Sequence, residues 1–360
     1  MIIVDAHQDI AFNAFAYGRD YRDSVAGTRA REGVRERNNA TVGLPDALAA
    51  GVGVVFGTLF VLPHTDKRIS STYLYHTQDE AHAQAREQLA FYRQLACADR
   101  RVQIIETRSN LAALQESWNS GAPQQGIVVL MENADPVRTL DEVAEWYDLG
   151  VRLIGPAWTA NRYTGGTGTP GPLTADGRAL LREMERVGMV LDVSHMAEEA
   201  FWQAMDMFGG TVVATHANCR VFVPGERSDR QLSDAMIKAL VERDAVIGVV
   251  LYNRFLDGGW TLERGKEALG LDTVVRHIDH ICQIAGDARH AGIGSDFDGG
   301  FGREAIPREL DSVADLPRLT EALHHAGFAA SDVEQIMGEN WLWLLERTLP
   351  ECVGDTMTRN

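Results

Sequence analysis

Cysteine is scarce in this chain, which has four cysteines among 360 residues. Cys97, Cys219, Cys282 and Cys352 show neither CxxC spacing nor the dense framework of a small disulfide-bonded domain. We therefore expect free thiols in a reducing compartment. The chain also lacks an apolar run of the roughly 18 residues that a membrane span needs, so we expect no membrane segment.

An excess of basic charge is absent as well. Lysine and arginine total 34 against 51 acidic residues, which gives a formal net charge of −17. This balance argues against a nucleic-acid partner, because phosphate recognition needs a basic face. The amino-terminal segment MIIVDAHQD has no basic stretch followed by a long apolar stretch, so it does not resemble a signal peptide. We expect a cytoplasmic protein.

Eight short, nearly continuous apolar runs recur along the chain, and helix-length amphipathic stretches separate them. Such runs are typical of strands that are buried on both faces of a parallel sheet. The alternation predicts an α/β fold, a (β/α)8 barrel of the TIM type. A doubly wound open sheet is the alternative, but no GxGxxG follows the first strand. The predicted strands are Ile2–Val4, Val52–Phe60, Gly126–Met131, Val151–Ala157, Met189–Val193, Thr211–Thr215, Ala245–Leu251 and Ala291–Gly294.

Helices are predicted between the strands, with Thr174, Ser233 and Asp272 as N-caps. No linker divides the chain, so we predict a single domain of residues 1–360 with loop insertions at about 19–42 and 299–316. The segment Gly165–Pro172, GGTGTPGP, is predicted to be a further loop. The predicted helices are Asp79–Cys97, Leu140–Leu149, Ala175–Val187, Glu198–Phe208, Ser233–Arg243, Asp272–Ala285 and a terminal helix, Asp332–Leu349.

Metal-capable side chains stand at the carboxyl ends of five of these strands, where the loops of a barrel form its active site. Each histidine alone fits a hydrogen-bonded core residue, and the glutamate alone fits a salt bridge. Their joint placement favours a metal site, because imidazole and carboxylate are common metal ligands. A glutamate has two oxygens and can bridge two ions. The residues are His7, Asp9, Glu132, His195, His216 and Asp296.

The segment GIGSDFDGG ends the last strand and carries Asp296 and Asp298. A carboxylate beside a metal-bound water can take its proton and pass it to a leaving amine. Asp192, just before His195, is placed to support the metal ligands from behind. These residues predict metal-assisted hydrolysis.

The chain resembles the renal, or membrane, dipeptidase family of binuclear zinc peptidases, in a soluble bacterial form. The resemblance covers nearly the whole chain in order. It implies an amidohydrolase-like barrel, a dipeptide substrate with some tolerance for a C-terminal D-residue, two Zn²⁺ ions per chain and a homodimer. The matching stretches are VDAHQDI, LPDALAAGVGVVFGTLFV, LMEN, LDVSH, ATHANCR, LSDAMIKALVERDAVIGVVLY, GIGSDFDGG, DLPRLTEALHHAGF and MGENWLWLLERTL.

The resemblance also implies roles for the residues. His7 and Asp9 would hold one zinc and His195 and His216 the other, while Glu132 would bridge both. Asp296 would handle the proton of a metal-bridging hydroxide that attacks the peptide carbonyl. By the same resemblance, Arg230 in SDRQLSD would meet the substrate carboxylate, and Tyr252 would line the substrate pocket.

One position departs from the family pattern. Members of the family commonly carry a histidine after strand four that touches the substrate, whereas this chain reads LIGPAWTANRY and has Trp158 there. We expect Trp158 to contact the substrate. Asn161 and Arg162 are alternative sources of a substrate contact. The departure keeps a second function open, a related metal-dependent amidase, lactamase or deaminase-type activity. A metal-binding protein that has lost catalysis is the alternative from another class.

Overall fold

Eleven strands and fourteen α-helices form the fold of the computed structural model, which describes residues 1–66, 69, 71–225 and 228–351. The strands are β1 (Ile3–Gln8), β2 (Val52–Phe60), β3 (Val102–Ile104), β4 (Gln125–Glu132), β5 (Val151–Gly155), β6 (Thr164–Gly166), β7 (Thr169–Leu173), β8 (Val190–Asp192), β9 (Val212–Val213), β10 (Ile247–Val249) and β11 (Ala291–Ile293). The helices are α1 (Ile10–Tyr17), α2 (Val25–Glu32), α3 (Leu44–Ala49), α4 (Gln78–Ala98), α5 (Arg108–Asn119), α6 (Glu142–Asp148), α7 (Ala175–Val187), α8 (Glu198–Met207), α9 (Asp234–Glu242), α10 (Asn253–Leu256), α11 (Leu271–Ala285), α12 (Arg318–His325), α13 (Ala330–Glu334) and α14 (Asn340–Thr348).

Eight parallel strands form the barrel, in the order β10-β11-β1-β2-β4-β5-β8-β9. Hydrogen bonds join its two ends: the Ala214 N–H donates to Val246 O at 3.1 Å, and the Gly248 N–H donates to Ala214 O at 2.8 Å. All eight predicted strands are present, so the predicted (β/α)8 barrel is confirmed. Every residue of β1, β2 and β4 is buried, which explains why these segments read as continuous apolar runs.

The carboxyl-terminal segment closes the end of the barrel where the strands begin. Trp341 is fully buried with its ring 5.3 Å from Phe56, and the Asn340 amide donates to Ala288 O and Ala291 O. The predicted terminal helix Asp332–Leu349 is present as α13 and α14, which a π-helical turn, Gln335–Glu339, joins directly. This turn brings Gly338 against the backbone of Ile2.

Two predicted loops contain regular structure. The polar insertion 19–42 includes α2, whose N-cap Ser24 accepts a hydrogen bond from the Gly27 N–H. The Gly/Pro segment 165–172 belongs to the antiparallel hairpin of β6 and β7, named here the cleft hairpin, Thr164–Leu173. Its glycines permit a close approach of the two strands, as argued below.

The predicted helix caps are confirmed at two of three positions. Thr174 accepts from the Gly177 N–H and Ser233 from the Met236 N–H. Asp272 is not an N-cap, because α11 already begins at Leu271, whose N–H donates to the Glu309 carboxylate.

Among the described residues, three cysteines are free: Cys97, Cys219 and Cys282. The fourth predicted free thiol, Cys352, lies outside the described residues, as does the end of the predicted domain from residue 352 to 360. In the described part of the chain, no helix combines the length and the apolar character that crossing a bilayer requires.

Candidate metal centre

The barrel brings the six predicted metal-site residues together at the carboxyl ends of its strands. His7 lies in β1 and Asp9 follows that strand, while Glu132 is the last residue of β4. The other three stand in the loops after β8, β9 and β11. All six side chains are buried: His7, Asp9, Glu132, His195, His216 and Asp296.

Glu132 lies at the centre of the cluster, with its two carboxylate oxygens directed to different histidines. Its Oε2 is 3.4 Å from His7 Nε2, whereas its Oε1 is 3.1 Å from His195 Nε2 and 3.4 Å from His216 Nε2. The Nε2 atoms of His195 and His216 are 2.9 Å apart. One carboxylate therefore faces two separate groups of imidazole donors.

Three overlapping groups in the described chain can each surround a cation, with donor atoms within 4.8 Å of one another. The groups are His7–Asp9–Glu132, Glu132–His195–His216 and His7–His216–Asp296. The first two share Glu132 and match the division expected from the sequence. Asp296 belongs only to the third group, and its Oδ1 is 3.9 Å from His7 Nε2.

The cluster fits divalent cations by two observations. Among the described residues, neither ring nitrogen of the fully buried His7 has a hydrogen-bond partner. Buried polar atoms are otherwise nearly always paired, so a ligand that accepts the Nε2 lone pair explains the arrangement. The donor set of imidazoles and carboxylates is also the set that zinc binds.

Burial and mutual charge shift the pKa of the carboxylates. Burial raises the pKa of Asp9 to about 7 and that of Asp296 well above its usual value, and the charge of Glu132 adds to both effects. Burial acts the same way on Glu132, but the charge of His7 and hydrogen bonds with His195 and His216 hold its pKa well below the usual value. A bound cation would stabilise the charged form of all three carboxylates.

The histidines divide into two types. Burial would lower the pKa of His7, but the charges of Glu132, Asp9 and Asp296 outweigh it and raise that pKa to about 10. Burial, with the charge of Arg230, lowers the pKa of His195 to about 3. Burial and neighbouring positive charges also lower the pKa of His216. These low pKa values favour the neutral form of His195 and His216, which is the form that binds a metal.

A carboxylate behind the centre orients His216. The hydroxyl of Thr215 donates to Asp192 Oδ2 at 2.5 Å and lies 3.0 Å from His216 Nδ1. Asp192 also accepts from the backbone N–H groups of Ser194 and Thr215. Asp192 was predicted to support the metal-site residues from behind. It does so through Thr215 and does not contact His216 directly.

The two aspartates of GIGSDFDGG have different surroundings. Asp298 lies in a buried ion pair, with its Oδ2 2.9 Å from Arg19 Nη1, and its Oδ1 accepts from the N–H and the hydroxyl of Thr41. The geometry therefore does not support the prediction that Asp298 lies beside a metal-bound water. Asp296 faces the cluster and has a left-handed backbone, with φ 60°. Such a conformation costs about 1–3 kcal/mol and is enriched at functional sites.

The metal-site cluster opens into a cleft of about 850 Å³. Trp158, Arg230 and Tyr252, which were predicted to contact substrate, all line this cleft. The Arg230 guanidinium donates to His216 O at 2.8 Å and lies over the Phe255 ring.

Aromatic partners hold two of these lining residues in place. Trp158 packs edge-on to Phe60 at 5.1 Å and lies 6.2 Å from the ring of His195. Tyr252 stacks on Phe301 at 4.2 Å. Aromatic side chains therefore form part of the cleft wall.

Asn161 lies outside the lining of the cleft. Its amide donates to Asn133 Oδ1 at 2.9 Å and to Pro156 O at 2.7 Å, and its Oδ1 accepts from the Tyr163 N–H. Its predicted substrate contact stays a prediction to which the cleft geometry gives no support. Arg162, the other residue considered, is exposed and donates to Gln78 Oε1 at 2.9 Å.

The structure also places residues at the site that the sequence did not single out. Thr167 and Gly168, at the tip of the cleft hairpin, line the cleft, and the Thr167 hydroxyl is 2.9 Å from His195 Nδ1. Asp229, Arg254 and others line it farther from the metal-site cluster. The Gly/Pro pattern GGTGTPGP was the only sequence signal for the hairpin.

A parallel eight-stranded barrel that buries such a cluster at the carboxyl ends of its strands defines a metal-dependent hydrolase of the amidohydrolase type. The model of the membrane dipeptidase family, peptidase family M19, matches residues 1–350. The chain therefore belongs to the M19 family of metallopeptidases, as the sequence resemblance implied.

Curated relatives and solved structures agree with this assignment. An uncharacterized dipeptidase of Schizosaccharomyces pombe is 28% identical over 82% of this chain and 70% of its own length. An uncharacterized Klebsiella pneumoniae protein in the pqqA 5′ region is 38% identical over 57% of this chain and 75% of its own. A Rhodobacter sphaeroides metallopeptidase shares the fold at a TM-score of 0.78 and 23% identity, covering 97% of this chain and 99% of its own, and was solved with a phosphinate mimic of L-Ala-D-Ala.

Proposed function

We propose that the protein hydrolyses dipeptides with two zinc ions. The observation that carries the proposal is the position of Glu132, whose two oxygens face separate histidine groups within 3.1–3.4 Å at the base of a cleft. His7 and Asp9 would hold one ion, and His195 and His216 the other. When bound, such ions lower the pKa of a shared water and polarise a carbonyl group.

The role proposed for Asp296 is proton transfer. Its carboxylate is buried at the edge of the cluster and lines the cleft, where it can take a proton from the attacking water and return it to the departing amine.

Arg230 is proposed to bind the terminal carboxylate of the substrate. Its guanidinium is buried beside the cluster and fixed by the hydrogen bond to His216 O. A planar fork of donors favours a two-point contact with a carboxylate. Because Arg230 stands so near the metal-site cluster, few residues fit between the scissile bond and the carboxylate, which favours dipeptides.

Trp158 and Tyr252 are proposed as walls that contact the substrate side chains. Both line the cleft, and each is supported by an aromatic neighbour, Phe60 and Phe301 respectively. Trp158 also motivates the second candidate function, a related amide or lactam hydrolase, because an indole close to His195 replaces the imidazole that the family resemblance leads one to expect.

A substrate panel on zinc-saturated protein tests the proposal. It contains L-Xaa-L-Xaa and L-Xaa-D-Xaa dipeptides, their amidated and N-acetylated forms, a tripeptide, N-acyl amino acids and a lactam. We expect cleavage of the free dipeptides of either C-terminal configuration and a large loss on amidation, which removes the carboxylate that Arg230 would bind. Cleavage of blocked substrates in preference to dipeptides would establish the second function. Binding without any turnover would indicate a protein that has lost catalysis.

A further inference from the structure

The cleft hairpin is anchored to the loops that follow the neighbouring strands β5 and β8. The Ala197 N–H donates to Gly165 O at 3.2 Å, and Gly166 pairs with Met196, the residue that follows His195. The Thr167 N–H donates to Trp158 O at 3.2 Å. The tip of the hairpin is thus fixed by backbone hydrogen bonds to the loops that carry His195 and Trp158.

The motif GGTGTPGP gives the hairpin this close approach. A Cβ atom on Gly165 would lie 2.4 Å from the Gly171 backbone nitrogen, and one on Gly166 would lie 2.7 Å from the Thr159 carbonyl carbon. Real Cβ atoms do not approach backbone atoms this closely, so both positions require glycine. The first residue after this pair with a side chain is Thr167, which the hairpin places against His195.

The side chain of Thr167 contacts the outer nitrogen of His195. The two atoms, Thr167 Oγ1 and His195 Nδ1, are 2.9 Å apart, while His195 Nε2 faces Glu132. A neutral imidazole carries its proton on one nitrogen only. If Nε2 keeps its lone pair for a metal, the proton is on Nδ1, and the Nδ1–H group donates a hydrogen bond to the Thr167 hydroxyl.

His216 has a parallel arrangement with a different origin. Its Nδ1 faces the hydroxyl of Thr215, which itself donates to Asp192 and is therefore oriented to accept from the imidazole. Thr215 is the neighbour of His216 in the sequence, whereas Thr167 comes from a separate hairpin. Among the described residues, His195 Nδ1 is the only hydrogen-bond partner of the Thr167 hydroxyl.

We propose that Thr167 is a positioning residue that holds His195 in the tautomer and orientation that bind a metal through Nε2. The cleft hairpin, with its two adjacent glycines, places this hydroxyl beside His195. The inference rests on one part of the proposed function, the binding of metal at the cluster, and does not depend on the identity of the substrate. Partners of this kind behind a metal-binding histidine typically contribute about 10- to 100-fold in metal affinity or activity.

Competition between the metal-free protein and a chromophoric chelator for Zn²⁺ tests the role of Thr167. Thr167→Val keeps the shape of the side chain and removes the hydroxyl, and Thr167→Ser keeps the hydroxyl. We expect Thr167→Val to lose about 10- to 100-fold in affinity for one of two ions and Thr167→Ser to bind as the wild type does. With zinc restored, Thr167→Val should lose kcat while KM changes little.

Thr169→Val is the matched control on the same hairpin. The Thr169 hydroxyl is exposed, accepts from the Ala160 N–H and lies 3.0 Å from Thr159 Oγ1, away from His195. We expect wild-type metal affinity from this variant. Equal losses in Thr169→Val and Thr167→Val would show a general effect of the hairpin and overturn the inference.

Other outcomes also decide the inference. Wild-type affinity for both ions in folded Thr167→Val would refute it, as would a loss in Thr167→Ser as large as in Thr167→Val. If thermal melting shows that Thr167→Val is unfolded, Thr167→Ala takes its place with the same expected loss. A wild-type chain that binds two ions but cleaves no dipeptide would refute the proposed function and leave this inference standing.

Discussion

Replacing Asp296 with asparagine tests the proton role proposed for this carboxylate. Asparagine has nearly the same shape but cannot take up a proton at neutral pH. The substitution is also well suited to the backbone here, because Asp296 has φ 60° and asparagine is one of the few residues that tolerate this left-handed conformation. Alanine would add backbone strain and confuse the result.

The structure sets the expected magnitude. Asp296 belongs to neither of the two groups that share Glu132, so the loss of its charge should leave the other five metal-site residues able to bind. A positioned general acid–base contributes about 10²–10⁴-fold to the rate. At about 1.36 kcal/mol per factor of ten, the barrier should rise by about 2.7–5.4 kcal/mol. We expect KM to change little.

The assay measures kcat and KM for one dipeptide together with the zinc content of the same sample. A drop in kcat within the expected range, with two ions retained, supports the proton role. Normal kcat with two ions bound would refute it. A loss of zinc in Asp296→Asn would instead assign Asp296 to the metal ligands.

Asp298→Asn is a matched control in the same loop and with the same backbone conformation, φ 63°. Asp298 pairs with Arg19 in a buried ion pair, and removing one partner of such a pair costs about 3–5 kcal/mol. We expect a lower free energy of unfolding, measured by urea denaturation, and a kcat within a few-fold of the wild type. A loss of kcat equal to that of Asp296→Asn would contradict the division of roles between the two aspartates.

Three further predictions follow from the packing and the metal site. Gly166→Ala places a Cβ atom 2.7 Å from the Thr159 backbone, so it should lower the unfolding free energy by about 1–3 kcal/mol and weaken zinc binding in the chelator assay. Removal of metal should lower the unfolding free energy by about 4 kcal/mol for each ion lost, relative to protein at a thousand times the Kd, measured by urea denaturation. Burial lowers the pKa of His277 to about 4. The buried neutral imidazole therefore makes its full contribution to the unfolding free energy above pH 6.5, and this contribution is lost as the pH falls toward 4. The stability difference between the wild type and His277→Gln should therefore narrow over this range by up to about 1.4 kcal/mol per pH unit.

The barrel could be predicted because its strands are buried on both faces. Val52–Phe60 was predicted with the bounds that the structure shows, since nine consecutive buried residues leave an unbroken apolar run. The short strand Val102–Ile104 and the helix Val25–Glu32 were missed. The first has only three residues, and the second is held by its Ser24 cap and by contacts distant in sequence, such as the Arg29 pair with Asp311.

The metal-site residues could be predicted because strand ends in a barrel converge, whatever the loops do. The position of Thr167 beside His195 could not, because it depends on where a glycine-rich hairpin folds back, and that is set by close approaches to Thr159 and Gly171. The cytoplasmic location and the homodimer stay predictions.

Metal titration of the chelated protein, with dipeptide cleavage followed at each addition, tests the central claim most directly. If Glu132 bridges two ions, activity should rise only as the second equivalent of zinc binds, and Glu132→Gln should bind zinc weakly and remain inactive. Full activity at one zinc per chain, or a fully loaded and active Glu132→Gln variant, would contradict the two-ion site.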